Sequence, residues 1–283
     1  MNIDKKWFLE KINAFLETDS SNRMSDVDDT LIFVPDALIG FASGADPIFK
    51  EYKRIIGEFH LTPQEAYLKY CKKNNIAVPK SIDNLSVVAF ILPINPKTKR
   101  QNLEFSAKMP SEKWAHTRLF GEQANQKLQT FLIEELRKIG ISAVAPMTQS
   151  YMFKINRKLW ASSWSHRHMA FAAGLGSFGL SDGFINEKGI AMRCGSLVID
   201  YKLPSDKHRR PLGPYEYCTE CGECIHRCPV DAISFEARHN KQKCSQHVMG
   251  SIPFIKQNFN INIYACGLCQ VGVPCENGIP INE

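Results

Sequence analysis

The feature that most constrains this chain is a run of cysteines in its last quarter. Eight of its ten cysteines lie between residues 218 and 275. The stretch CTECGECIHRCP places Cys218, Cys221, Cys224 and Cys228 at spacings of two, two and three residues, with Pro229 after the last. This is the bacterial ferredoxin pattern, in which three thiolates hold one 4Fe-4S cluster and the fourth ligates a second cluster. Zinc sites need only CxxC pairs, so the spacing favours iron–sulfur chemistry over zinc.

The remaining cysteines match the number that two clusters need. Cys228 requires a second cluster with three further thiolates, and four cysteines are left in this region. By analogy with two-cluster ferredoxins, the ligands of one cluster are Cys218, Cys221, Cys224 and Cys275, and those of the other are Cys228, Cys244, Cys266 and Cys269. In CGLCQVGVPC the last thiol follows Pro274 instead of preceding it. The loop is therefore expected to reach its cluster along a different path from that of a ferredoxin.

The residues ahead of the cysteines predict an α/β (α+β) domain. The apolar run LSVVAFILPI, residues 85–94, has strand length and β-branched residues, so it predicts a buried strand near the middle of a sheet. Thr62, Pro63 and Glu65 form a capping-box signature for a helix. Helices are expected at residues 62–73 and 111–139, and two further strands at residues 141–146 and 189–203. We therefore expect a cofactor- or substrate-binding domain at residues 1–205 and a ferredoxin-like domain with two 4Fe-4S clusters at residues 206–283.

One long stretch of the first domain has no acidic residue. Between Glu135 and Asp182 there is no Asp or Glu, while six Lys and Arg residues are present together with His166 and His168. A stretch with only positive charges predicts an anionic partner. The candidates are a phosphate-bearing cofactor, a nucleic-acid backbone and the cluster domain itself. A second basic run, residues 207–210, is interpreted as a linker, a docking patch for an electron donor or a solvated loop, with the solvated loop preferred.

Two other segments supply candidate ligands. GLGSFG, residues 174–179, matches a dinucleotide-binding pattern, but a helix-like segment precedes it where a strand is needed. Its glycines are instead expected to end a helix in left-handed geometry and to let the backbone approach a neighbour closely. On the helix around residues 114–122, Arg118 is expected to pair with Glu122 one turn away, and His116 lies on another face.

Localisation follows from what the chain does not contain. There is no secretory signal, and no apolar run approaches the roughly 18 to 20 residues that a membrane helix needs. A cytoplasmic protein without a membrane partner is expected. Outside the cysteine run, Cys71 and Cys194 are interpreted as inert thiols.

Three features together carry a family resemblance. The CxxCxxCxxxCP run, the later CxxCQ at residues 266–270 and the glycine-rich AAGLGSFGLSDGFINEKG at residues 172–189 resemble the epoxyqueuosine reductase-like iron–sulfur proteins, which are related to the reductive dehalogenases. The resemblance covers the chain from about residue 85 onward. Two departures indicate a paralogue. The region around Trp160 and Trp164 has no counterpart of the family's catalytic Asp, and the C-terminal repeats that contact tRNA are missing. The queuosine substrate is therefore not carried over.

The resemblance implies a cobalamin held base-off between the first domain and the two clusters. The clusters would deliver electrons one at a time for a reductive removal of oxygen or halogen. The residues implied in cofactor binding are His116, Arg118, Lys154, Arg167, Gly174, Gly176 and Gly179. The general acid that protonates the product anion is drawn from Tyr151, His166 and His168.

Three hypotheses for the function follow. The first is a cobalamin-dependent oxidoreductase that acts on a small molecule and takes electrons from an external ferredoxin- or flavodoxin-type donor. The second is an electron-transfer protein that reduces a partner, such as a corrinoid protein, without substrate chemistry of its own. The third, least favoured, is an RNA-modifying enzyme that binds the phosphates of tRNA through the basic stretch.

Overall fold

A four-stranded antiparallel sheet organises the first domain in the computed structural model, which describes residues 3–281. The strand order is β1-β2-β8-β3, with β1 at Leu38–Ser43, β2 at Ser86–Pro93, β3 at Ala143–Val144 and β8 at Met192–Ile199. Every residue of β2 is buried, which confirms the predicted central strand. Because each pairing in this sheet is antiparallel, the domain is α+β rather than a parallel α/β fold.

Helices cover both faces of the sheet. Val88 and Phe90 of β2 pack in the core beneath α1 (Lys5–Thr18) and α5 (Glu112–Lys138). Val87 and Ala89 alternate with them and pack in a second core beneath α2 (Ile48–Ile56), α3 (Pro63–Asn74) and α6 (His166–Ala172). This period-two division of β2 is what a strand buried on both faces requires.

The helix ends follow local chemistry that the sequence indicates. Thr62 Oγ1 accepts from the Glu65 backbone N–H at 3.2 Å, and the Thr62 N–H donates to Glu65 Oε2 at 2.9 Å, so the capping box that begins α3 is confirmed. Helix α5 begins at its N-cap Ser111. Just after α5, Gly140 has φ +78°, the left-handed geometry that favours glycine beyond a helix end.

Shorter elements complete the described chain. The remaining helices are α4 (Pro96–Phe105), α7 (Glu223–His226), α8 (Lys241–Gly250) and α9 (Ile252–Phe259). Three two-stranded hairpins pair β4 (Ile155–Asn156) with β5 (Ala161–Ser162), β6 (Gly176–Phe178) with β7 (Phe184–Asn186), and β9 (Ile233–Ser234) with β10 (Arg238–His239). Among residues 3–281, no helix has both the length and the apolar character needed to cross a membrane.

The basic run at residues 207–210 is not a solvated loop throughout. Arg210 Nη2 lies 2.6 Å from Asp46 Oδ2, and it also donates to the Ala172 backbone carbonyl at 2.8 Å. Arg209 Nη2 lies 2.9 Å from Glu187 Oε1. Arg210 is thus held against the first domain and the preferred interpretation as a solvated loop was wrong for it, whereas residues 207–209 are exposed, as that interpretation predicts.

Candidate cluster site and adjoining cavity

One small cavity contains the first cysteine group, defined as Cys218, Cys221, Cys224 and Cys275. Aliphatic side chains complete its wall, among them Ile185, Ile190 and Val273. Burial and the neighbouring thiols raise the pKa of Cys275 to about 12 and that of Cys224 to about 11. Without a metal these thiols therefore keep their protons at neutral pH, and iron ligation would displace those protons.

A turn after Pro274 brings Cys275 into this group. The Glu276 N–H donates to the Val273 carbonyl at 2.9 Å, which closes the turn. The Ile190 N–H donates to the Cys275 carbonyl at 2.8 Å, and a Cβ on Gly189 would lie 2.0 Å from the Glu276 carbonyl oxygen. The loop that leads into β8 thus holds the displaced thiol in place by backbone contacts.

The second cysteine group is defined as Cys228, Cys244, Cys266 and Cys269. Burial and the neighbouring thiols of this group raise the pKa of Cys269 well above its usual value, and burial raises the pKa of Cys266 to about 11. The Ala232 N–H donates to Cys228 Sγ at 3.2 Å. A backbone donor therefore reaches a thiol of this group.

Two residues of the first domain hold the loop of the second group. Asn102 Nδ2 donates to the Cys266 carbonyl at 3.2 Å. Gly267 has φ +69°, and a Cβ there would lie 2.0 Å from Trp114 Cε2, so the loop backbone packs directly on the indole of α5. Glycine is required at this position both by the left-handed geometry and by the close approach.

The two groups fit 4Fe-4S clusters in chemistry and in number. Each group offers four thiols. Of the eight, Cys221 is exposed and the other seven are half-buried. Among residues 3–281, no three His, Cys, Asp or Glu side chains converge on the position of a single ion. A cubane does not need that convergence, because its four cysteine ligands are spread over four irons.

A second cavity, called here the ligand cavity, adjoins both groups. Its volume is about 350 Å³, and α6, the start of β8 and Gln270 contribute to its wall. Ile190 lines this cavity as well as the cysteine cavity, and Gln270, which directly follows Cys269, also lines it. Its remaining wall is Glu122, Met147, Ser162, Trp164, Ser165, His166, Arg167, Gly183, Phe184, Met192, Arg193 and Cys194.

His166 is a neutral hydrogen-bond donor at this cavity. Burial lowers its pKa to about 4. Ser196 Oγ accepts from Trp164 Nε1 at 3.0 Å and lies 2.7 Å from His166 Nδ1, which donates or accepts according to the tautomer of the ring. His166 Nε2 is buried and has no hydrogen-bond partner among the described residues.

The charged residues of the ligand cavity differ from those expected. Glu122 Oε2 pairs with Arg193 Nη1 at 3.4 Å. The expected Arg118–Glu122 pair was wrong, because Arg118 turns to Tyr264, donates to its hydroxyl at 2.7 Å and stacks 4.7 Å from its ring centre. Arg167 is exposed at the wall, and its guanidinium donates to the Asp182 backbone carbonyl.

Several predicted site residues lie away from the ligand cavity. Tyr151 lies beside α3, where its ring centre is 6.0 Å from Lys73 Nζ. His168 stacks against Tyr52 at 4.9 Å, and burial lowers its pKa to about 3. His116 is buried on α5, and Lys154 is exposed outside the cavity wall. Of the three candidate acids, the structure brings His166 to the cavity and leaves Tyr151 and His168 elsewhere.

The glycine segment contacts the protein itself. Gly174 ends α6 with φ +70°, as predicted, and a Cβ there would lie 2.8 Å from the Asp206 carbonyl oxygen. A Cβ on Gly176 would lie 2.2 Å from the Ile185 carbonyl oxygen, and Gly179 lines the cysteine cavity. The close approaches of Gly174 and Gly176 are thus to neighbouring backbone, and a role of these glycines in lining a corrin pocket stays a prediction.

Five functional candidates were missed from sequence. Arg193 lies on an alternating strand and Glu122 on a helix, where nothing marks them as cavity residues. His239 and Asp182 meet across about 60 residues of chain, which spacing alone does not reveal. Gln270 carried a usable signal, since it directly follows the CxxC pair that predicts a cluster.

The lining does not fit a whole cobalamin in the arrangement expected from sequence. A volume of about 350 Å³ is at the lower end of small-molecule sites, which span about 300 to 1,000 Å³. Among the seven residues implied in cofactor binding, all within the described chain, Arg167 alone lines the ligand cavity. The cavity suits a substrate-sized molecule.

Comparisons with known proteins agree with the cysteine pattern. Residues 214–234 match the family model of the 4Fe-4S binding domain. An epoxyqueuosine reductase from Lactococcus garvieae is 31% identical over 39% of this chain and 32% of its own length. A tetrachloroethene reductive dehalogenase from Desulfitobacterium hafniense is 29% identical over 40% of this chain and 21% of its own length. The matches thus span a third or less of these curated relatives.

A solved structure supports the fold. A reductive dehalogenase studied for B12-dependent dehalogenation has a TM-score of 0.53 and 14% identity, over 87% of this chain and 31% of that chain. At this identity the likeness bears on the fold alone. The sequence matches, over about two fifths of this chain, relate it to the epoxyqueuosine reductases and the reductive dehalogenases.

Proposed function

We propose that this protein is an iron–sulfur oxidoreductase that holds two 4Fe-4S clusters and passes their electrons to a molecule bound in the ligand cavity. One observation carries the proposal: the ligand cavity shares Ile190 with the cysteine cavity, and its wall includes Gln270, next to Cys269. When bound, the clusters supply one-electron transfers. The four thiols of each cysteine group hold one cluster.

The residues of the chain itself divide the remaining tasks. Exposed Cys221 places the first group near the surface, where an external ferredoxin- or flavodoxin-type donor can approach. At the ligand cavity, neutral His166 in its Nε2–H tautomer donates a hydrogen bond to the oxygen or halide that gains negative charge as its bond is cleaved. Arg167 supplies a cation for an anionic substituent. The Glu122–Arg193 pair fixes the opposite wall.

A cobalamin-dependent form of this function is supported by relatives rather than by the cavity. Matched relatives include reductive dehalogenases, and one structural neighbour is described as B12-dependent. The alternative is an electron-transfer protein that reduces a partner, such as a corrinoid protein, and performs no chemistry on a substrate. The ligand cavity favours the first function, because an electron carrier needs no polar cavity beside its clusters.

Iron and acid-labile sulfide analysis of anaerobically purified protein tests the clusters. We expect about eight irons and eight sulfides per chain, since each cysteine group supplies ligands for one four-iron cluster. Four irons would contradict the two-cluster proposal, and stoichiometric zinc without sulfide would overturn the iron–sulfur assignment as a whole.

A cobalamin titration of the same sample, followed by absorbance, tests the cofactor. Arg167→Ala and Lys154→Ala form a matched pair, because each removes an exposed cation of the acid-free stretch. Arg167 lines the ligand cavity and Lys154 does not. If an anionic part of the ligand binds in the cavity, Arg167→Ala weakens binding by about 10-fold or more, as loss of a charge-assisted hydrogen bond does, and Lys154→Ala leaves it unchanged. Absence of binding to wild-type protein would refute the cobalamin form.

A further inference from the structure

An exposed apolar patch lies between α4 and α9, beside the loop of the second cysteine group. The patch is defined as Leu103, Phe105, Phe254 and Phe259. The ring centre of Phe105 lies 6.3 Å from that of Phe254 and 6.0 Å from that of Phe259, so the rings join the two helices. Leu103 and Phe105 are 40% and 46% exposed. Large apolar side chains that are grouped and exposed mark an interaction surface.

Two contacts tie this patch to the second group. Asn102, which precedes Leu103, donates to the Cys266 carbonyl at 3.2 Å. A Cβ on Gly272 would lie 2.7 Å from Leu103 Cδ1, so Leu103 covers the loop that follows Cys269. A molecule on the patch would therefore touch side chains that themselves touch the loop of the second group.

Unpaired cations adjoin the patch on both helices. Arg100 lies three residues before Leu103 on α4, and Lys256 lies three residues before Phe259 on α9. On a helix this spacing makes each cation a surface neighbour of a patch residue. Arg100 and Lys256 are exposed, and neither forms an ion pair with another described residue.

The chain around the patch is nearly free of acids. Between Glu236 and Glu276, a stretch that includes α8, α9 and the loop of the second group, there is no Asp or Glu. Exposed Lys108 follows α4, and Glu104 is the single acid of that helix. The surface beside the second group is therefore cationic with an apolar centre.

The exposed thiol of the first group has the opposite surroundings. Residues 214–236, which include Cys221, contain five Asp or Glu and one Lys or Arg. Glu220 pairs with Arg238, whereas exposed Glu223 has no ion pair among residues 3–281. An acidic protein is therefore repelled near Cys221 and attracted to the apolar patch. The approach at Cys221 stays open to a carrier without that charge.

We propose that the apolar patch is the docking site of an acidic one-electron carrier protein that reduces the second cluster. This inference rests on the proposed function, because it requires the second group to hold a cluster that accepts electrons. In each encounter the carrier loses one electron and the second cluster gains one, and no bond forms or breaks. The apolar residues exclude water at the centre of the contact, and the cations around them attract the carboxylates of the carrier.

Other occupants fit the patch less well. A symmetric dimer brings the same residues of two copies together, so the cations around both patches would meet and oppose association. A nucleic acid binds mainly through many phosphate contacts, and the few cations beside four apolar side chains supply little of that.

Stopped-flow reduction of the full-length protein with both clusters, by a reduced flavodoxin of strongly negative net charge, tests the patch. Lys256→Glu should lower the second-order rate constant about 10-fold at low ionic strength, because it reverses a charge that steers the encounter. The difference should disappear at high salt, which screens exposed charges. Lys80→Glu is the matched control, since Lys80 is an exposed lysine after α3, on the other face of the sheet. It should leave the rate constant unchanged.

A second matched pair tests the apolar centre. Leu103→Ser should lower the rate constant about fivefold or more at every salt concentration, as truncation of a side chain at the centre of an interface does. Leu68→Ser should not, although Leu68 is 39% exposed on α3. Freeze-quench EPR should show the electron in the second cluster before the first. If Leu103→Ser loses iron, the two lysine variants decide the matter.

Equal effects of Lys256→Glu and Lys80→Glu would show that net charge alone governs the reaction, and would overturn the inference. Arrival of the electron in the first cluster before the second would also overturn it, as would no reaction of wild-type clusters that dithionite reduces. Wild-type self-association, or binding of bulk tRNA, that Lys256→Glu abolishes without changing the rate constant would show a different occupant. These results leave the proposed function intact, whereas wild-type protein without a second cluster would contradict it.

Discussion

The two cysteine groups have the same number of thiols in different surroundings. The first lines a cavity whose other walls include aliphatic residues such as Ile185 and Ile190. In the second, the Ala232 backbone N–H donates a hydrogen bond to Cys228 Sγ. Because hydrogen bonds to sulfur raise cluster potentials, identical ligands in these two settings are expected to hold electrons with different strength. The ligand set determines which cofactor binds, and the surroundings determine how readily it is reduced.

The largest expected effect is the loss of one cluster when one of its cysteine ligands is replaced. Cys275→Ala should remove or convert the first cluster and leave the second largely intact, because Cys275 lies with the thiols of the first group. Cys269→Ala should do the reverse. Iron analysis together with EPR of the reduced protein distinguishes the two variants. Selective loss of the second cluster from Cys275→Ala would refute the assignment of ligands.

A backbone substitution should weaken the first group without touching a thiol. Gly189 has φ +88°, and a Cβ would lie 2.0 Å from the Glu276 carbonyl oxygen, so Gly189→Ala must displace the turn that holds Cys275. We expect a loss of at least about 2 kcal/mol in the free energy of unfolding, from backbone strain and the collision. Chemical denaturation and the EPR signal of the first cluster measure it.

Gly213→Ala is the control for that substitution, since nothing lies within 4 Å of a Cβ there. Its free energy of unfolding should stay within about 0.5 kcal/mol of wild type. If both variants lose stability equally, the contact between Gly189 and Glu276 does not support the first group.

The order of the two potentials tests the comparison directly. In wild-type protein the second cluster should be reduced first as the potential is lowered, because Cys228 accepts a hydrogen bond from the Ala232 N–H. A redox titration that resolves the two EPR signals gives the order. Reduction of the first cluster at the higher potential would mean that the aliphatic wall of the first group does not set its potential.

The smallest expected effect concerns the wall between the cavities. Ile190→Val removes one methylene from a side chain that lines both cavities and should cost about 0.5 to 1.5 kcal/mol of stability. Ile185→Val is the matched control, because Ile185 lines the cysteine cavity but not the ligand cavity. Thermal or chemical denaturation should give similar losses, while ligand binding should change in Ile190→Val only. A change in both variants would argue against Ile190 as a specific shared wall.

Short-range chemistry made much of the fold predictable. The capping box at Thr62 marked α3, and the apolar run marked β2, because both signals are complete within a few residues. The antiparallel arrangement of the sheet was left open, since strand direction depends on pairings such as β2 with β8 that lie more than 100 residues apart.

The candidate site was predictable only where its chemistry is local. The cysteine spacing by itself identified the thiols, although their ligation of iron remains a prediction. The polar residues that line the ligand cavity could not be predicted from local spacing. Arg118 and His116 lie on α5, which also carries the cavity residue Glu122, but they face Tyr264 and Phe120. Side-chain direction is decided by tertiary packing, which a single sequence does not display.

The packing of Gly267 on Trp114 also bears on how such proteins can diversify. A gene that exchanged its cysteine-rich half with that of a relative bearing any side chain at position 267 would place that side chain inside the indole of α5. The same exchange would separate Asn102 from the carbonyl of Cys266. Recombination near residue 205 should therefore yield few viable chimaeras, and the two halves are expected to be inherited together rather than shuffled as interchangeable modules.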